Sequence, residues 1–110
     1  MYLFRILAEP DPDNEEVDRD VAGAYVNVWI DFPEPDAAEV IARYYIKDAG
    51  WVPITTEETT WVEETDYNEG DESREYFLEA LVNGSCRVFY TWSKDESEPE
   101  IIEGNNEIQS

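Results

Sequence analysis

The chain has 110 residues, with 28 Asp or Glu, 7 Lys or Arg and no His, which gives a net charge of −21. So few bases disfavour nucleic acid and anionic membrane surface, which bind through Lys and Arg, and favour a basic partner or a cation. The lack of His removes the commonest general base and metal ligand, while 15 aromatic residues supply enough apolar area for one folded domain rather than a disordered chain.

In chain order, residues 2–8 alternate and predict a strand. Tyr2, Phe4, Ile6 and Ala8 point one way; Leu3, Arg5 and Leu7 point the other. Residues 9–22 contain Pro10 and Pro12 and no apolar period, which predicts a loop. The run 24–32, AYVNVWIDF, is the clearest strand. Ala24, Val26, Val28, Ile30 and Phe32 form its apolar face, and Pro33 and Pro35 end it.

Asp36 followed by Glu39 has the spacing of a capping box and predicts the start of a helix. Ala38, Ile41, Ala42, Tyr45, Ile46 and Ala49 lie on one helical stripe, and Gly50 is placed to close it. Residues 51–62 are rich in Thr, Val, Ile and Trp and predict a third strand. Pro53 argues for an edge position or a strand start. A second helix is predicted over 72–83, capped by Asp71, with Phe77, Ala80 and Leu81 buried, Tyr76 at the border and Gly84 as the stop. Residues 85–92, SCRVFYTW, alternate and make the last strand.

The predicted order is β-β-α-β-α-β: an α/β (α+β) two-layer sandwich with a four-stranded mixed sheet and both helices on one face. It occupies 1–93 as one globular domain, followed by an acidic, disordered tail over 94–110. Two crossovers would make strands two, three and four parallel, with strand one either antiparallel to strand two or added elsewhere.

The charge sits in three places. Residues 9–20, 63–75 and 95–107 each carry −6, and the other 72 residues together carry −3. An almost neutral domain thus bears three acidic appendages. Adaptation to high salt would spread acid over helix and strand surfaces; acid confined to connections suits solubility or a partner. The parallel arrangement would bring Glu34, Asp36, the 63–72 connection and the root of the tail to one rim, with the 9–20 loop at the other.

No catalytic residue, cofactor site or metal site is expected. A nucleophile–His pair is impossible, and the glycines at 23, 50, 70, 84 and 104 are isolated, so no phosphate-cradling loop exists. The calcium-loop pattern fails from Asp11, where Glu16 and Ala22 replace the required Gly and Glu, and from Asp66. Cys86 alone forms no internal disulfide and reads as a buried strand thiol. Glu57 and Glu58 read as an exposed strand edge. No apolar run is long enough to span a membrane, and MYLFRILA is not expected to be a signal peptide. A reduced, cytoplasmic setting is the expectation.

Tyr25 and Trp29 share the second face of strand two, with Trp61 and Phe89 on neighbouring strands. Uncovered, these rings would form a binding or dimerising surface. The expected function is a small, non-catalytic, acidic module that binds a basic protein, as an inhibitor or adaptor does. Its candidate contacts are Tyr25, Trp29, Trp61, Glu34, Asp36, Glu63, Glu64, Asp66 and Asp71. The alternatives are a homodimer formed through the aromatic face or edge strand, and a carboxylate-based divalent-cation protein or enzyme subunit.

Overall fold

Strand β1 is Tyr2–Pro10 and β2 is Val21–Ile30, in a computed structural model that describes residues 1–15, 17 and 20–94. They pair antiparallel, the first of the two arrangements the sequence allows, from Tyr2 opposite Ile30 to Ala8 opposite Ala24. β2 starts earlier and ends earlier than its pattern predicts. Val21 already pairs with Ser93, whereas the Asp31 N–H turns to the Gly84 carbonyl and that of Phe32 to the Ile30 carbonyl.

Helix α1, Pro35–Asp48, has its cap two residues ahead of the expected Asp36. Glu34 is the cap, its carboxylate accepting the Ala37 N–H at 2.6 Å, and Pro35 opens the helix where no backbone donor is needed. Gly50 at φ 88° closes it in the left-handed conformation. Strand β3, Trp51–Trp61, follows; then a short 3-10 turn at Glu64–Asp66 and helix α2, Glu72–Asn83, which matches its predicted bounds. Gly84 at φ 89° ends α2 and leads into β4, Ser85–Ser93.

The expected class holds: α+β, four strands and two helices in β-β-α-β-α-β order. Two details differ. The sheet order is β3-β1-β2-β4 and every neighbouring pair is antiparallel, so the sheet is not mixed. β2 and β3 do run the same way, with β1 between them, but β4 runs against β3. The second detail is that the helices lie on opposite faces, which makes three layers rather than two. Ala38, Ala42 and Ile46 of α1 pack with Phe4, Ile6, Val26, Val28 and Ile30, whereas Phe77 and Ala80 of α2 pack with Trp29, Cys86 and Val88.

The reversal has a geometric cause. β3 ends at Trp61 beside Tyr2, and β4 starts at Ser85 beside Ile30, at the same end of the sheet. The intervening chain therefore crosses the width of the sheet rather than its length. Three strand spacings are about 14 Å, and twelve helical residues span about 18 Å. The 62–71 connection and α2 together cover that distance, with α2 itself packing on β4 and β2.

A polar clasp fixes α1 to β3. The Arg43 guanidinium donates to Thr56 Oγ1 at 3.0 Å and to Glu39 Oε2 at 3.3 Å, and Thr56 Oγ1 donates to the same carboxylate oxygen at 2.9 Å. No helix among the described residues is long and apolar enough to cross a membrane. The expected tail lies, beyond Lys94, outside the described residues.

Candidate functional site

One end of the sheet gathers the C-terminal ends of β2 and β3, the start of α1 and the 62–71 connection. Residues 31–36 and 63–72, which form this rim, hold nine acids and no base. The antiparallel β4 removes one expected member. The chain leaves β4 at the opposite rim, where the Lys94 N–H donates to the Asp20 carbonyl at 2.7 Å. The root of the tail therefore meets the 9–20 segment and not the 63–72 connection.

Several rim carboxylates shape the backbone that carries them. Glu34 caps α1. Glu63 starts the 3-10 turn, and its N–H donates to Asp66 Oδ2 at 2.8 Å. Asp71 precedes α2 and accepts the Asn68 N–H at 2.9 Å. Glu64 pairs with Arg74 of α2 at 3.0 Å, both partners remaining solvated. Asp36 sits exposed in the first turn of α1, where the helix dipole favours negative charge. The connection is thus ordered by its own acids and remains acidic. A depression of about 560 Å³ lined by Glu64, Tyr67, Asn68, Glu69 and Arg74 opens over it.

Two large rings stand in this acidic setting. Trp61 is 50% exposed, held edge-on to Tyr2 with ring centroids 5.0 Å apart. Phe32 is 40% exposed, although its parity in β2 suggested the core. The ladder ends at Ile30, so Phe32 lies two residues beyond its last paired residue. The Met1 amino group lies within the field of Asp31 and Glu63; burial lowers its pKa, and the two carboxylates oppose that shift.

The remaining predicted aromatics disperse. Trp29 is 1% exposed under α2 and donates from Nε1 to the Tyr67 hydroxyl at 3.1 Å. It supports the acidic connection from beneath and does not line an open face. Phe89 is buried on the α1 side against Trp51. Tyr25 is half-buried on the α2 side, between Arg5 at 4.5 Å and Trp92 at 5.4 Å. The structure therefore brings together Trp61, Glu63, Glu64, Asp66, Glu34, Asp36 and Asp71 at one rim. Tyr25 lies apart, and Trp29 lies below.

Among the described residues no group of three or more carboxylates or thiols is arranged to hold a metal ion. Cys86 is buried; desolvation, aided by a hydrogen bond with Glu79, pushes its thiol pKa well up, so it is held as the neutral thiol. The site offers charge and aromatic surface. No known family model, curated protein or solved structure matches the chain.

Proposed function

We propose that the chain is a non-catalytic binding module for a basic protein, which it meets at the rim formed by residues 31–36 and 61–72. The observation that carries this reading is Trp61, a half-exposed indole at the end of a strand, surrounded by acid. A desolvated Trp is the side chain most often found to anchor an interface. The acids around it speed encounter with a cationic surface and reject acidic ones.

The test compares capture by the native chain, by Trp61→Ala and by the triple variant Glu63→Gln, Glu64→Gln, Asp66→Asn. Each is immobilised in extract of its source cells at low and at high salt. The expected result is a basic protein held at low salt by the native chain, weakened by high salt and by both variants. Capture of no basic protein, or capture that both variants leave unchanged, overturns the reading.

A further inference from the structure

β3 is the terminal strand of the sheet, and among the described residues no strand pairs with its outer side. Its backbone donors and acceptors on that side face solvent. The opposite edge differs: most of β4 is buried, with Phe89, Tyr90 and Thr91 in sequence, whereas most of β3 is exposed.

The open edge is not uniform. Its register with β1 slips by one residue at Glu57 and again at Ile54, the two-against-one geometry of β-bulges. Bulges bend an edge and hinder further pairing. Between Glu57 and the rim the ladder is regular: Glu58, Thr59, Thr60 and Trp61 pair in step with Arg5, Leu3 and their neighbours down to Tyr2. This four-residue run leads straight into the acidic aromatic rim.

Charge selects the occupant. Residues 57–64 hold four acids and no base. Natural edges are often guarded by Lys, and this one has none. A second copy would set those carboxylates beside four more, within a pair of chains each carrying −21. A cationic strand meets the opposite situation.

Resting on the proposed rim reading, we infer that the run Glu58–Trp61 receives a short extended segment of the basic partner, which adds to the sheet through its main chain. A Lys or Arg of that segment lies at Glu58, and an apolar side chain lies against Trp61. Main-chain pairing supplies the register, and the bulge at Glu57 limits the reach.

The probe is a blocked peptide of about seven residues alternating Lys and Val, titrated into the full isotope-labelled chain. Amide shifts over 58–61, with new exchange protection at Thr59 and Trp61, whose N–H groups point away from β1, fading beyond the Glu57 bulge, are expected. The same peptide methylated on alternate backbone nitrogens keeps its charge and loses donors; it should bind about tenfold more weakly. Glu58→Lys should abolish that protection. Equal affinity for the methylated peptide, or perturbation confined to 63–72, overturns the edge inference and leaves the rim reading standing. Protection at Thr59 and Trp61 that grows with protein concentration alone overturns it in favour of self-pairing. No response to the Lys–Val peptide, with capture by the native chain intact, also overturns the edge inference alone.

Discussion

The two faces of the sheet are made by the same four strands and are closed to different degrees. On the α1 side, Phe4, Ile6, Ala8, Val26 and Val28 are all fully buried beneath Ala38, Ala42 and Ile46. Small residues on α1 let the helix approach closely, and Trp51 and Phe89 fill the flank. On the α2 side, Trp29, Cys86 and Val88 are covered, but Arg5, Leu7, Tyr25, Asn27 and Trp92 are only half-buried. α2 packs against β4 and β2, leaving the half of that face around Arg5 and Tyr25 uncovered. Stability is thus concentrated on one face, and the other spends part of its area on a half-open patch.

Truncations measure that contrast most directly. Ile46→Ala on the closed side should cost about 2–5 kcal/mol, read as a lower urea midpoint. Leu7→Ala on the open side should cost less than about half as much, because a half-exposed side chain has less burial to lose. Equal losses would show that the α2 face is packed as tightly as the α1 face.

Gly23→Ala probes the open side at its tightest point. A Cβ there would meet Cζ2 of Trp92 at 2.7 Å and the Ala8 carbonyl at 3.1 Å. A loss of about 1–3 kcal/mol is expected, partly recovered in the double variant Gly23→Ala, Trp92→Leu. Failure of that recovery would place the strain in the backbone instead.

A smaller effect should appear with pH. The Cys86 thiol has a raised pKa in the folded chain, so the native state holds that proton more tightly than the unfolded state does. The associated stability is present below the ordinary thiol value and declines as pH rises above about 8.5. Tyr76, raised by desolvation and by its hydrogen bond to Glu72, adds a decline above about pH 10. Cys86→Ala should flatten the first decline; an unchanged slope would remove Cys86 as its origin.

The smallest expected effect is that of salt. Screening the carboxylates should raise the melting temperature by about 3 °C, equivalent to roughly half a kcal/mol. Salt leaving the melting temperature unchanged would mean that the acids are too far apart to repel one another.

Local periodicity made most of the elements legible. The 3.6-residue stripe and a left-handed Gly identified both helices, and Pro53 pointed to the edge position of β3. Direction was not legible, because alternation in SCRVFYTW reads the same whichever way β4 runs. The layer count failed for a related reason. Trp29 shares its parity with Asn27 and Asp31, so alternation alone leaves that face open or covered alike. Only the strand pairing places Trp29 opposite Cys86, near Val88, and shows an apolar patch large enough to demand its own helix. The rim acids were legible as a group because their positions follow from the ends of β2 and β3. Phe32 was missed because its parity fits a strand that stops two residues earlier.

Uncharged contacts hold the described part of the 9–20 segment. The Gly50 carbonyl accepts both the Asp11 N–H at 3.1 Å and the Asn14 side-chain amide at 2.9 Å, and Val17 is buried. None of these attachments uses a cation. Ionic strength can therefore dim the field of this acidic segment without loosening these three attachments, so that for them position and potential are set by separate devices.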